Sequence, residues 1–183
     1  MKVYWIAFVV VILDQATKLV VKLTMSMHQV VQVAGTTLQL TYLENPGMAF
    51  GIRFFETHPF WGRWFFSAVS IIASFGLVWY IYRMRAESRV YRIALALILG
   101  GAIGNLIDRV LYGRVVDFID MDMPDVMGLQ RWYVFNIADA AVVGGMILMT
   151  GFVLFAKSHH RDSSVAPGDD RMSMENKPGT ATE

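Results

Sequence analysis

Two aspartates in apolar surroundings are the residues of this sequence best suited to acid–base chemistry. Asp117 lies in the run VVDFI, and Asp139 lies in the run FNIADA. When two carboxyl groups approach each other away from water, one of them keeps its proton because two like charges are costly there. Such a pair suits an aspartyl hydrolase, in which one carboxylate takes a proton from water and the other carboxyl donates one.

The residues alone leave three interpretations of this pair open: a hydrolytic site, a proton-coupled transporter site and a structural hydrogen-bonded pair. Other hydrolase chemistries fit the sequence less well. It contains no cysteine, which excludes thiolate nucleophiles and zinc–thiolate sites. It also lacks the H-E-x-x-H pattern of metalloproteases and the Gly-x-Ser-x-Gly elbow of serine hydrolases.

Further ionisable side chains interrupt apolar segments, where they are expensive and therefore indicate a site. Asp14 and Lys18 are four residues apart and share one helix face, so they either neutralise each other or orient a group in a polar interior. Asn105, Asp108 and Arg109 follow one another within about one turn. The planar fork of arginine suits a carboxylate, and we favour a structural network here over direct catalysis.

Two backbone signals accompany these polar residues. Asn45-Pro46-Gly47 predicts an irregular turn, which matters for function only if its backbone or Asn45 faces a substrate. Ala96, Gly100 and Gly104 recur every four residues, and such a stripe of small residues lets a neighbouring helix approach closely.

The elements that must position these residues are membrane spans. The chain is 55% hydrophobic and 17% charged, against about 45–50% and 25% in typical soluble domains. It has no basic excess of the kind that nucleic-acid binding requires, so no nucleic-acid partner is expected. A span needs about 20 predominantly apolar residues. Four stretches qualify: Val3–Val21, Trp64–Tyr82, Ile93–Tyr112 and Trp132–Phe155.

The connections between these spans also carry patterns. Alternating apolar and polar residues from Gln29 to Leu43 predict a short β-hairpin, and the aromatic stretch Phe54–Trp64 predicts an interfacial segment. The predicted fold class is an all-α membrane protein with four transmembrane helices and a small hairpin-containing extracytoplasmic loop. Residues 1–157 form its domain, and the polar residues 158–183 are expected to be a disordered cytoplasmic tail.

Basic residues predict the orientation. The connection RMRAESRVYR between the second and third spans is densely basic, which places it and both termini in the cytoplasm. The first span lacks a small-residue cleavage site and is therefore expected to be retained rather than removed as a signal peptide. Because the third and fourth spans run in opposite directions from one outer loop, Asp117 and Asp139 belong to the same outer-leaflet depth.

Five ordered motifs connect these observations. They are Asp14-Gln15-x-x-Lys18, Asn45-x-Gly47-x-Ala49-Phe50-Gly51, Gly100-Gly101-Ala102-x-Gly104-Asn105-x-x-Asp108-Arg109, Val115-Val116-Asp117-Phe118 and Phe135-Asn136-x-Ala138-Asp139. In this order, and over the chain up to about Phe155, the sequence closely resembles the lipoprotein signal peptidases, also called signal peptidase II. The stretch from Asp120 to Tyr133 departs from the family by a few additional residues.

The resemblance implies a four-span aspartyl endopeptidase of the bacterial inner membrane. Such enzymes remove the signal peptide of prolipoproteins, cutting before a cysteine that carries diacylglycerol. Asp117 and Asp139 correspond to the catalytic pair. The substrate-binding or supporting positions are Asn45, Gly47, Asn105, Arg109, Asn136, Asp14 and Lys18. The resemblance implies no metal or organic cofactor, and the expected partners are the lipid-modified substrate and membrane lipids, with the enzyme itself a monomer.

Overall fold

Long helices dominate the molecule, and a small antiparallel sheet covers one end of them. The computed structural model describes residues 3–46, 59–84, 88–126, 129–131 and 133–162. The elements in chain order are α1 (Tyr4–Thr24), β1 (Val30–Ala34), β2 (Leu38–Asn45), α2 (Pro59–Arg83), α3 (Arg89–Tyr112), β3 (Val115–Val126), β4 (Leu129–Arg131) and α4 (Ile137–Asp162).

Helix α3 is central, because it packs against α1, α2 and α4. Its ends are defined by local chemistry. The side chain of Ser88 accepts a hydrogen bond from the backbone N–H of Tyr91, and Gly113 ends the helix with a left-handed φ of 74°. Within the described residues, three helices are long and apolar enough to cross a membrane: Phe60–Arg83, Arg89–Tyr112 and Ile137–Leu154.

Small residues allow α3 to approach its neighbours, as the four-residue stripe predicts. A Cβ atom added to Gly100 would lie 2.7 Å from Cβ of Val10 in α1. The same atom added to Gly101 would collide with the backbone oxygen of Ala138 in α4. Successive glycines of α3 therefore face two different helices, and a larger side chain at either position would push a helix away.

The β-hairpin predicted between Gln29 and Leu43 is confirmed. Strands β1 and β2 pair antiparallel, and Gly35 has a positive φ of 57° in the turn between them. The sheet extends further than predicted, in the order β1-β2-β3-β4, with Leu43 opposite Asp117 across β2 and β3. The all-α class with a lone hairpin was therefore too narrow.

The sequence pattern concealed β3 because the first residues of this strand are covered on both faces. Val115, Val116, Asp117 and Phe118 are all buried, so the segment lacks the alternation of a half-exposed strand. It packs with Val21 of α1 and with Tyr42 of β2 in one apolar cluster.

Two predicted helix starts differ from the structure. Helix α4 begins at Ile137 rather than near Trp132, because the backbone of Phe135 pairs with that of Ile119 in β3. Helix α2 begins at Pro59 and includes part of the predicted interfacial stretch. Helix α4 continues to Asp162, and residues 163–183 of the predicted tail lie outside the described residues.

Candidate active site

Polar side chains from the helices and the sheet meet at the end of the helices where α1 and α3 contact β3. They come from α1, β2, α3, β3 and the start of α4, and most of them are buried. The site comprises Asp14, Lys18, Asn45, Asn105, Asp108, Asp117, Asn136 and Asp139.

Asn136 connects the two candidate catalytic carboxyls. Its Nδ2 donates a hydrogen bond to Oδ1 of Asp117 at 2.7 Å. Its Oδ1 accepts from the backbone N–H of Asp139 at 2.9 Å, and its own backbone N–H donates to Oδ2 of Asp139 at 3.2 Å. This reciprocal arrangement is a capping box, in which Asn136 ends the connection and Asp139 lies in the first turn of α4. One fully buried asparagine therefore touches both aspartates.

Two further asparagines complete the hydrogen bonds to the carboxyls. Asn105 Nδ2 donates to Oδ1 of Asp139 at 2.7 Å, and Asn45 Nδ2 donates to Oδ2 of Asp117 at 3.1 Å. Each oxygen of both aspartates thus accepts one hydrogen bond from an uncharged N–H group. The carboxyls are held in fixed orientations, and among the described residues no cation is bonded directly to either one.

The two carboxyls lie in different electrostatic surroundings. Burial, followed by the negative charge of Asp139, raises the pKa of Asp117 from 3.8 to about 7, although hydrogen bonds from Asn45 and Asn136 oppose this rise. Asp139 lies in the first turn of α4, where the helix dipole and the backbone N–H of Asn136 stabilise negative charge. Near neutral pH a substantial fraction of the Asp117 carboxyl therefore keeps its proton.

Lys18 is the centre of a buried ionic cluster beneath the aspartates. Its Nζ lies 2.8 Å from Oδ2 of Asp14 and 3.1 Å from Oδ2 of Asp108. It also donates a hydrogen bond to Oδ1 of Asn105 at 2.9 Å. Because Lys18 takes that oxygen, the amide of Asn105 must direct its Nδ2 toward Asp139. The pair at positions 14 and 18 thus belongs to a larger network.

Arg109 is the other cation near the site. Its guanidinium lies 5.8 Å from the ring centroid of Phe66, and it interacts electrostatically with Asp139, Asp117 and Asp108. Its buried Nε has no hydrogen-bond partner among the described residues. Among the described residues, Asp108 forms its ion pair with Lys18. The guanidinium of Arg109 therefore remains available to interact with the carboxyls of Asp117 and Asp139.

The structure brings together nearly all of the residues singled out from the sequence. Gly47 is the exception, since it lies outside the described residues. Gln15, named from the sequence only as part of a motif and not as a site residue, also contributes: its Nε2 donates to Asp14 Oδ2 and to Asp108 Oδ1, both at 3.1 Å. Its position three residues before Lys18 was an available signal, because residues at that spacing share a helix face. The N-x-x-D spacing of Asn136 and Asp139 was a further signal in the sequence, since it predicts their capping box.

A family model described as signal peptidase II matches residues 6–155. A lipoprotein signal peptidase of Desulforapulum autotrophicum is 38% identical over 153 residues, which cover 83% of this chain and 91% of that protein. A lipoprotein signal peptidase of Alteromonas mediterranea is 38% identical over 145 residues, covering 79% of this chain and 76% of that protein.

Solved structures show the same likeness. One bacterial membrane enzyme superimposes with a TM-score of 0.70 at 31% identity, covering 92% of this chain and 93% of the other. A second gives a TM-score of 0.68 at 34% identity, covering 84% of this chain and 92% of the other. Both the sequence and the fold therefore place this chain in the signal peptidase II family, a family of aspartic-type membrane peptidases.

Proposed function

We propose that this protein removes the signal peptide from diacylglyceryl-modified bacterial prolipoproteins, cutting before the lipidated cysteine with Asp117 and Asp139 as the catalytic pair. The observation that carries the proposal is the pair of carboxyls joined through Asn136, which contacts Asp117 at 2.7 Å and the backbone of Asp139 at 2.9 Å. The names of the relatives supply the substrate class.

The first step uses the unequal charge of the two carboxyls. The Asp139 carboxylate takes a proton from a water molecule, whose oxygen attacks the carbonyl carbon of the scissile amide. Asp117 gives its proton to the carbonyl oxygen, so that the tetrahedral intermediate is an uncharged diol. The asparagine amides keep both carboxyls oriented while the proton moves from one side of the site to the other.

The second step breaks the C–N bond. Asp139 returns its proton to the nitrogen of the leaving cysteine, and Asp117 takes a proton from one hydroxyl of the diol. The carbonyl forms again as the carboxyl end of the signal peptide, and the lipidated chain leaves with a free amine. Asp117 is then protonated and Asp139 ionised, as at the start.

Asn45 and Arg109 are proposed to contact substrate. Asn45 ends β2 and reaches Asp117, so a peptide in the site passes close to it. The guanidinium of Arg109 offers donors to the carbonyl oxygens of an extended peptide. Gly47, two residues after Asn45, belongs to the same turn by sequence and is proposed to allow close passage of the peptide backbone.

The proposed setting is the bacterial inner membrane, with α1 as a fourth span and both termini in the cytoplasm. The carboxyls then lie at the outer face, where a lipid-anchored substrate presents its scissile bond near the membrane surface. We propose a monomer with residues 1–157 as its catalytic domain, in contact with membrane lipids.

A proton-coupled transporter would use the same carboxyls, but no observation favours it. The relatives that match most of this chain are lipoprotein signal peptidases, and the solved neighbours are described as membrane enzymes.

The test removes one carboxyl at a time. We expect Asp117→Asn and Asp139→Asn each to lower cleavage of a lipid-modified prolipoprotein by about 10³-fold or more, because each removes an essential proton-transfer group. Asp122→Asn, in the same strand as Asp117, is the matched control and should retain activity. Turnover of the lipid-modified substrate is measured in detergent and compared with turnover of the same substrate without lipid. Normal turnover by either site variant would refute the proposal.

A further inference from the structure

Two backbone N–H groups beside the proposed catalytic aspartates are bonded to carboxylates of other helices. The N–H of Ala138, the residue before Asp139, donates to Oδ1 of Asp14 at 2.9 Å. The N–H of Val116, the residue before Asp117, donates to Oδ2 of Asp108 at 3.1 Å. At each proposed catalytic aspartate, the backbone N–H of the preceding residue is therefore anchored by a carboxylate from a different helix.

Both anchoring carboxylates are bound by one ammonium group. Lys18 Nζ lies 2.8 Å from Asp14 and 3.1 Å from Asp108, and none of these three residues is more than 2% exposed. A continuous path of hydrogen bonds and ion pairs thus runs from the backbone beside Asp117 to the backbone beside Asp139. Lys18 is its midpoint, and Gln15 bridges the same two carboxylates in parallel.

The helix packing is adapted to this path. A Cβ atom at Gly104 would lie 2.7 Å from Oδ2 of Asp14, so the absence of a side chain there lets α1 bring its carboxylate against α3. A buried ion cluster is weak evidence for stability, because desolvation of the charges offsets their attraction. Geometry is the better explanation for keeping three charged groups at this position.

We infer that Lys18, by bridging Asp14 and Asp108, sets the spacing between the Asp117 and Asp139 carboxyls and is thus a positioning residue for the reaction. The inference rests on the proposed function, because it assigns a role within that site. A shift of one carboxyl by about 1 Å is enough to lower a rate about 10²-fold. Substrate binding depends on other groups and should change little.

The experiment must separate positioning from folding. Lys18→Met alone would leave two buried carboxylates unpaired, so the variant of choice is Asp14→Asn/Lys18→Met/Asp108→Asn. It removes all three charges, while each asparagine oxygen still accepts the hydrogen bond from Ala138 or Val116. Replacing a whole buried ionic cluster by neutral residues of similar size is often tolerated.

We expect the triple variant to insert, to keep the Tm of the parent or exceed it, and to lose about 10²-fold in kcat with KM changed by less than about threefold. Lys22→Met is the matched control, since Lys22 lies one turn further along α1 and contacts the ring of Tyr112 at 3.3 Å. Its kcat should stay within about twofold of the parent. Cleavage of a lipid-modified prolipoprotein is the assay.

Asp108→Asn is a second variant that keeps the Lys18–Asp14 ion pair and thus a neutral cluster. It should fold and lose about tenfold in kcat, because only one half of the bridge is broken. A folded triple variant or Asp108→Asn variant with the parent's kcat would overturn the inference. If the parent itself leaves the lipid-modified substrate uncut, the proposed function fails instead.

Discussion

At the scale of single residues, the use of asparagine around the two aspartates has a chemical reason. A lysine or arginine bonded directly to either carboxyl would hold it ionised and prevent it from donating a proton. Asn45, Asn105 and Asn136 supply N–H donors without charge, so they orient the carboxyls in either protonation state. Lys18 donates to the oxygen of Asn105, whose Nδ2 in turn donates to Asp139.

The pKa of Asp117 leads to a prediction about stability. Because that pKa is about 7 in the folded protein and about 3.9 in an unfolded chain, the folded state binds the proton more tightly. This favourable contribution is complete below about pH 4 and is lost as the pH rises through about 7. Asp117→Asn carries no such dependence, so its Tm relative to the parent should rise between pH 5 and pH 8.

The difference between a pKa of 3.8 and one of about 7 corresponds to an upper bound of about 4 kcal/mol, or several degrees in Tm. Thermal unfolding in detergent at both pH values measures the difference. Asp122→Asn serves as the control and should track the parent at both. A Tm difference between Asp117→Asn and the parent that is independent of pH would contradict the raised pKa.

At the scale of elements, the close approach of α3 to α1 and α4 determines where the site residues meet. The glycines on these helices leave no room for side chains, so backbone contacts fix the helix positions within narrow limits. Gly104 lies against Asp14, and Asn105 and Asp108 on the same helix contact Lys18 of α1. The packing of α3 and the geometry of the candidate site are therefore coupled.

Two adjacent glycines in α4 allow this packing to be tested. A Cβ atom at Gly145 would lie 2.7 Å from the backbone oxygen of Ala94 in α3, whereas at Gly144 it would meet nothing within 4 Å. Gly145→Ala should lower stability by about 1–3 kcal/mol through overpacking. Gly144→Ala should leave it unchanged or raise it by about 0.5–1 kcal/mol, because alanine favours a helix. Equal Tm values for both variants would show that α3 and α4 are not tightly packed here.

At the scale of the whole molecule, the sheet and the basic connection lie at opposite ends of α3: the connection precedes this helix and β3 follows it. The sheet follows α1 and α3, and the basic residues 83–92 join α2 to α3. The excess of Arg in that connection favours the cytoplasmic side. The proposed orientation, with this connection in the cytoplasm, would place the sheet and both aspartates at the outer face.

Absence of cysteine makes this orientation easy to test with single cysteine variants. Thr36→Cys, in the turn between β1 and β2, should react with a membrane-impermeant maleimide in intact spheroplasts. Arg89→Cys, exposed at the start of α3, should react only after permeabilisation. The reverse pattern of labelling would invert the proposed topology and remove the aspartates from the outer face.

Much of this architecture follows from local patterns in the sequence. Apolar length and composition predicted the helices, and alternation predicted the β1–β2 hairpin, because each pattern reports the surroundings of one element. The candidate polar residues were equally visible, since an ionisable side chain in an apolar run is costly unless it has a partner. The chain by itself thus determined the class of protein and the set of residues from which the site is built.

Only the tertiary structure decided how those residues are joined. Lys18 meets Asn105 across 87 positions of the chain, and Asp14 meets the N–H of Ala138 across 124. Periodicity within one helix carries no information about such meetings, because they depend on how closely neighbouring helices pack at their glycines. The strand around Asp117 was hidden for a related reason: both of its faces are buried, which removes the alternation that identifies a strand.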